Sequence, residues 1–293
     1  MIYYSHAKKV NNTVEGTKTI AEHRKNVKEL IKLLFCDSVS FQYDNDFIKS
    51  FLKDLSSYHD LGKYTEFFQN YLLGKEYINE NDKQHSRIGA FAALKKYNRK
   101  YENYNFISFL IYYLIKNHHS NLKCLLDDYL FNDAAQNCVR NIYEKQFNSL
   151  KKAFKNGDLN DYPEIGLDSI YPDYLKLRRT LRNYLNNNSN IENYFLINYL
   201  FSLLTEADKL DASDTKYYLR KKINIKIVDE YLEKNIKKNS KSDEKSNDLN
   251  YLRNYVRENV INKIEENDIL NNKLFTLTAP TGIGKTLTAL DFA

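Results

Sequence analysis

Apolar residues recur along most of this chain at the spacing of a helix, not of a strand. Ile20, Val27, Leu30, Ile31 and Leu34 form one stripe. Phe47, Phe51, Leu55 and Tyr58 form a second, and Ile88, Phe91, Ala92 and Leu94 a third. Offsets of three, four and seven residues place side chains on one helical face. Convincing period-2 alternation is scarce before residue 270. Eight glycines and three prolines in 293 residues leave few sites for the tight turns that an all-β fold needs. The predicted class is therefore mainly α, with long helices joined by polar, Asn/Asp-rich loops such as Asn11–Asn12, Asp44–Asp46 and Asn79–Asp82.

The segment Lys237–Asn247, KKNSKSDEKSN, carries no core-forming residue and reads as a linker. The predicted organisation is a helical domain over 1–235, a polar linker over 236–248, and a further element group over 249–293. That last group has an amphipathic stretch, Leu249–Ile264, then KLFTLT at Lys273–Thr278, which reads as a short buried strand. APTGIGKT and a renewed helical pattern follow it.

Three cysteines, Cys36, Cys124 and Cys138, show neither pairing rhythm nor C-x-x-C spacing. A disulfide framework is not expected, and a reducing, cytoplasmic setting is. The N-terminus MIYYSHAKKV has no apolar signal-peptide core. The apolar runs Phe106–Ile115 and Tyr194–Leu204 fall far short of the ~20 residues that span a bilayer. They read as buried core helices, with no membrane partner. The net charge of +6 is compatible with a polyanionic partner.

The six histidines carry the chemical signal. They are His6, His23, His59, His85, His118 and His119. His59 adjoins Asp60 at the end of an apolar stripe, and Lys63 follows three residues on, on the same helical face. His118 and His119 end the run FISFLIYYLIKN. Neighbouring helical residues diverge by about 100°, so both reach one metal only at a helix end. Asp208 sits beside Leu203, Leu204 and Ala207, and a carboxylate in such surroundings needs a partner. Imidazole and carboxylate are the usual ligands of first-row transition metals.

The order H…HD…H…HH…D resembles the HD metal-dependent phosphohydrolase superfamily. More narrowly, the chain resembles the HD nuclease domain of the type I CRISPR-associated helicase-nuclease. The matching stretches are YSHAKK, EHRKNV, YHDLGKYTEFFQNYL, HSRIGA, NHHS and ADKLDAS, and on the helicase side LRNYV and FTLTAPTGIGKT. The resemblance spans nearly the whole chain. It implies an HD helical bundle followed by a truncated strand–P-loop–helix start of a RecA-like domain. It implies two divalent transition-metal ions (Mn, Fe, Co, Ni or Zn), one held by His23, His59, Asp60 and Asp208. The other is held by His85, His118 and His119, with Asp60 bridging. Asp60 and Lys63 are the implied catalytic residues, Lys63 holding substrate phosphate or orienting water. His6, Lys63 and Ser213 are implied to contact substrate. The implied activity is hydrolysis of single-stranded DNA in CRISPR interference, with a CRISPR RNA-guided surveillance complex as partner. The alternatives are a hydrolase of nucleotides or cyclic dinucleotides that uses the same metals, and a non-catalytic docking module.

APTGIGKT departs from the G-x-x-x-x-G-K-[ST] phosphate loop only at Ala279, as superfamily-2 helicases commonly do. Gly282 and Gly284 would let backbone N–H groups cradle phosphate at a helix N-terminus, Lys285 would neutralise it, and Thr286 would ligate Mg²⁺. Few residues follow, so neither ATP hydrolysis nor unwinding is expected of this chain. ATP and Mg²⁺ belong to a full-length helicase.

Overall fold

The computed structural model describes residues 2–100, 105–123, 136–156, 190–217, 226–239, 244–263 and 276–292, with 159, 179, 180, 183 and 224 singly. The chain is mainly helical: eleven α-helices and one two-stranded sheet lie among the described residues. It divides into two compact units, Met1–Tyr218 and Leu219–Ala293. The division lies upstream of the linker expected at 236–248, and the described parts of that segment, 236–239 and 244–248, are helical, not coil.

The first unit opens with an antiparallel hairpin, β1 (Tyr4–Val10) and β2 (Thr13–Thr19), turned at Asn11–Asn12. Asn11 takes a positive φ of 54°, the left-handed backbone that asparagine tolerates. Thr19 then caps α1 (Ile20–Leu34) by accepting from the Glu22 amide. Asp44 caps α2 (Asn45–Tyr58) in the same way. A 3₁₀ turn (Leu61–Tyr64) leads through Thr65 into α3 (Glu66–Leu72). The short α4 (Glu80–Lys83) precedes α5 (Ser86–Lys100) and α6 (Phe106–Asn117). Asn105 and Ser108 close a capping box on α6. Further on lie α7 (Gln136–Lys155) and α8 (Ile191–Ala212).

The three stripes converge on a single core. Ile20, Val27, Phe51, Leu55, Ile88, Phe91, Leu94 and nearly all of α6 are buried together. The second apolar run needs a correction. In α8, Leu196, Leu200, Leu203, Leu204 and Ala207 are buried, but Tyr194 and Phe195 are exposed. The helix packs one face, so residues 100° and 200° away from it point outward whatever their hydrophobicity.

Two glycines allow close approaches to another segment's backbone in this unit. A Cβ on Gly89 of α5 would stand 2.2 Å from the carbonyl oxygen of Tyr58, at the end of α2. One on Gly62 would stand 2.2 Å from the carbonyl oxygen of His85. Both contacts are with backbone, which cannot swing aside, so only glycine lets α5 and His85 lie so close to the His59–Lys63 segment.

The second unit contains α9 (Ile227–Asn239), α10 (Glu244–Asn262) and α11 (Lys285–Phe292). Arg257 of α10 ties the three together, 2.5 Å from both Asp229 and Asp291. Residues 276–278, the described part of the expected strand, form no ladder; Thr276 and Thr278 are exposed and Leu277 is partly buried. The unit contains no second strand among its described residues to pair with them. Gly282 and Gly284 have φ of 84° and 86°, and α11 begins at Lys285, whose ammonium hydrogen-bonds the carbonyls of Ala279 and Pro280. Thr286 is exposed on the first turn of α11.

Candidate metal centre

Three helix ends and two helix faces meet at the site, all within the first unit. His59 is the C-cap of α2, and Asp60 follows it at the start of the 3₁₀ turn. His118 is the C-cap of α6, and His119 lies in the turn beyond. The divergence of adjacent helical residues is thus relaxed where the helix stops. His85 immediately precedes α5. His23 on α1 and Asp208 on α8 face inward from helices that pack on one another.

Asp60 stands at the centre with its two oxygens aimed at different partners. Oδ2 lies 3.1 Å from His23 Nε2 and 3.6 Å from His59 Nε2. Oδ1 lies 3.4 Å from His85 Nε2 and 3.7 Å from His118 Nε2. Asp208 Oδ1 is 3.1 Å from His23 Nε2, and His85 Nε2 is 2.9 Å from His119 Nε2. Two four-residue ligand sets result: His23, His59, Asp60 and Asp208, and Asp60, His85, His118 and His119. In each, the candidate donor atoms all lie within 4.8 Å of one another.

These sets fit a divalent ion on two grounds. Metal–nitrogen bonds of 2.0–2.1 Å place neighbouring ligand atoms about 2.8–3.4 Å apart in octahedral or tetrahedral geometry. The donor-atom distances given above run from 2.9 to 3.7 Å. Two buried atoms are also left without a hydrogen bond, Asp60 Oδ1 and His118 Nε2. His118 Nδ1 lies 2.6 Å from the Ile115 carbonyl, so it carries the ring proton and Nε2 presents a lone pair to the carboxylate. Buried lone pairs facing each other are costly, and a cation between them relieves both. His59 is oriented likewise, Nδ1 donating to the Ser56 carbonyl at 2.9 Å and leaving Nε2 as the ligand atom.

Without metal, the electrostatics differ sharply between the histidines. Burial lowers His59 and His85 to about 4, and lowers His119 further, with His118 and His85 adding to the effect. Burial opposes charge on His23 as well, but hydrogen bonds to Asp208, Asp211 and Asp60 overcome it and raise His23 to about 10. Burial would raise Asp60, yet the Lys63 ammonium and His59 hold it well below the carboxylate range. Asp208 is held low in the same way by its hydrogen bond to His23. The metal-free centre thus holds His23 as an imidazolium among carboxylates.

Lys63 is buried, 2.7 Å from Asp60 Oδ2 and 3.1 Å from Ser5 Oγ. His6 lies edge-on to His23, ring centroids 4.9 Å apart, and its buried Nδ1 has no hydrogen-bond partner. Burial and the Lys63 charge lower His6 to about 4. Consecutive strand residues normally face opposite ways. Here the register is irregular on both sides of His6, and the bulge turns Ser5 and His6 toward the same centre. Gln69 fastens this strand to the 3₁₀ turn, accepting from the Tyr4 amide and donating to the carbonyls of Tyr4 and Lys63. Ser213 lies elsewhere: it is exposed at the end of α8, its hydroxyl bonded to the Lys209 carbonyl at 2.8 Å. The phosphate-loop residues lie in the other unit.

Sequence reasoning passed over Asp211. Its Oδ2 lies 2.5 Å from His23 Nδ1, and its Oδ1 accepts from Asn26 at 2.7 Å and from Lys18 at 3.1 Å. The signal was present, since Asp208 and Asp211 are three apart and share a helical face. No family model matches the chain, and no curated protein matches it significantly.

Proposed function

We propose that this chain is a metal-dependent nuclease of the HD type that hydrolyses phosphodiester bonds in single-stranded DNA. One observation carries the reading: seven residues scattered from His23 to Asp208 converge into two ligand sets that share Asp60. Divalent ions held there would supply Lewis-acid stabilisation of phosphoryl charge and an acidified water. The protein's own groups do the rest. Asp60 offers one oxygen to each set, so it fixes the two positions relative to each other. Lys63 neutralises Asp60 from the hairpin side and offers N–H groups to a phosphate oxygen. His6, neutral near pH 7, is placed to accept or donate a hydrogen bond at the rim.

On this reading the first unit is an HD bundle. The Gly282–Thr286 loop, with its two left-handed glycines ahead of a helix, is the start of a helicase motif I. The fused helicase element and the polyanionic substrate favour a role in CRISPR interference beside an RNA-guided surveillance complex.

The test is metal content after purification without chelator, paired with cleavage of circular single-stranded DNA in Mn²⁺, Ni²⁺, Co²⁺ or EDTA. About two ions per chain and chelator-sensitive cutting are expected. Cutting of free nucleotides alone would transfer the site to a nucleotide hydrolase. No metal and no cutting would leave a docking module.

A further inference from the structure

The two oxygens of Asp60 are not equally provided for. Oδ1 has no hydrogen-bond partner and faces His85 and His118 Nε2 at 3.4 and 3.7 Å. Oδ2 is already engaged by a cation of the protein itself, the Lys63 ammonium at 2.7 Å. Asp60 caps the 3₁₀ turn that contains Lys63, and side chains three apart in such a turn eclipse one another. Ser5 closes a ring on this contact from β1. Its hydroxyl accepts from Lys63 at 3.1 Å and donates to Oδ2 at 3.4 Å. The Phe68 ring lies beneath the ammonium, 5.7 Å from Nζ to centroid. Ser5, Asp60 and Lys63 are all buried, so neither charge could stand there without the other.

Oδ2 is also the oxygen that faces the enclosed ligand set, in which His23, His59, Asp60 and Asp208 are all buried. Asp60 and Asp208 carry one negative charge each, and together they balance one divalent cation. Beside a set so filled, Lys63 is a surplus positive charge next to a ligand oxygen. An ammonium has three donors and no acceptor, so it cannot join the ligands and can only oppose the cation.

We propose that Lys63 is an internal counter-ion of the metal-free centre: it neutralises Asp60 through Oδ2 and yields that oxygen when the enclosed set takes up a divalent cation. The assignment rests on the metal reading of the site and gives Lys63 a role that precedes substrate. One residue then does opposite things to the two forms of the protein. It stabilises the metal-free fold and weakens cation binding. Yielding Oδ2 leaves the ammonium with donors to spare for a phosphate oxygen, so the loaded centre and the phosphate-binding lysine arise together.

The experiment titrates Mn²⁺ into the full chain by calorimetry in a His119→Ala background, which removes a ligand of the other set and leaves the enclosed set complete. Lys63→Met should bind at least about tenfold tighter than its parent, since it removes a like charge from beside the cation. Lys63→Gln keeps a hydrogen-bond donor without the charge and should follow Met; Lys63→Arg keeps the charge and should stay near the parent. In EDTA, Lys63→Met in the otherwise native chain should melt roughly 5–10 °C lower, because a buried carboxylate has lost its partner. Where it does not fold in EDTA, Mn²⁺ should restore folding. Equal or weaker binding in both neutral variants overturns the proposal, as does an arginine variant that binds as tightly as Met or a metal-free midpoint that does not fall. Cutting by the wild type alongside such a result keeps the nuclease reading. Tighter binding in the neutral variants, with no cutting by the wild type in any metal, keeps the counter-ion and removes the nuclease reading. No Mn²⁺ uptake by any of the proteins overturns both.

Discussion

Asp211→Asn is an almost isosteric change with a directional consequence. Asp211 presents two oxygens. Oδ1 receives the Asn26 amide at 2.7 Å and the Lys18 ammonium at 3.1 Å, and Oδ2 meets His23 Nδ1 at 2.5 Å. An asparagine has one acceptor end and one donor end. Two donors already point at the Oδ1 position, so the amide oxygen stays there and the amide nitrogen faces His23. It donates to Nδ1, and the ring proton moves to Nε2. That proton then points at Asp60 Oδ2 and Asp208 Oδ1, each 3.1 Å away, where it is well accommodated but blocks ligation. Binding a metal requires turning the amide so that it faces two donors. A hydrogen bond to a charged group is worth about 1.5–3 kcal/mol, or roughly 10–100-fold in affinity, the range typical of lost supporting partners in metal sites. Asp211→Ala removes the anchor but leaves Nδ1 free to donate to water, so it should cost less, about tenfold. The assay is Mn²⁺ titration by calorimetry, with elemental analysis for stoichiometry. The asparagine variant should lose the ion of the His23 set, keep that of the His85 set, and bind more weakly than the alanine variant. Wild-type affinity in Asp211→Asn, or a weaker Asp211→Ala, refutes the tautomer argument.

Asp60→Asn should lower metal content at both sets and abolish cutting, since one side chain serves both; elemental analysis showing two ions would refute the bridging role. Gly89→Ala should lower the unfolding free energy by about 1–3 kcal/mol, the cost of overpacking, because its Cβ meets the Tyr58 carbonyl at 2.2 Å; a urea midpoint equal to wild type would contradict that contact. Metal-free stability should depend on pH in two directions. His59 and His85 sit at about 4 when folded against about 6.5 unfolded, so the stability present above pH 6.5 is lost as pH falls towards 4. At 1.36 kcal/mol per unit that is on the order of 3 kcal/mol for each group. His23 sits at about 10, so its contribution is complete below pH 6.5 and is lost as pH rises through 10. Thermal midpoints in EDTA should therefore peak near neutrality, and a flat profile from pH 4 to 10 would contradict both assignments.

The parts legible in the sequence are those that follow from periodicity and from residue type at helix ends. The three stripes predicted helices whose buried faces match them. The placement of His118 and His119 at a helix end followed from the 100° step, and Asp208's need for a partner followed from its apolar neighbours. The rest was illegible for separate physical reasons. The hairpin is thin and polar, so β1 and β2 bury too little to show period-2 contrast; Lys8, Lys9 and Glu15 stand where a core strand would be apolar. Gly62 and Gly89 read as ordinary glycines until another segment's backbone is placed against them. Tyr194 and Phe195 read as core because hydrophobicity does not reveal which face lacks a partner. The KLFTLT stretch reads as a strand, but a strand needs a neighbour to pair with, and that is a property of what surrounds it.

The two halves of the centre also differ in what positions their ligands. His23 has Asp211, Asn26 and Lys18 behind it, and His59 has the Ser56 carbonyl; all these partners are protein groups, and His23 and His59 are buried. On the other side His118 is fixed by the Ile115 carbonyl, but His85 and His119 stand in a cleft wall, their Nε2 atoms 2.9 Å apart. A ligand set enclosed by protein hydrogen bonds is preorganised and exchanges its ion slowly. A set open to solvent exchanges more freely. Brief EDTA treatment should therefore strip the His85 side before the His23 side. Protein caught at one ion per chain should keep that ion in Asp60→Asn less well than in His119→Ala, because only the former loses a ligand of the enclosed set. Equal loss of the remaining ion in the two variants would show that enclosure does not govern the order.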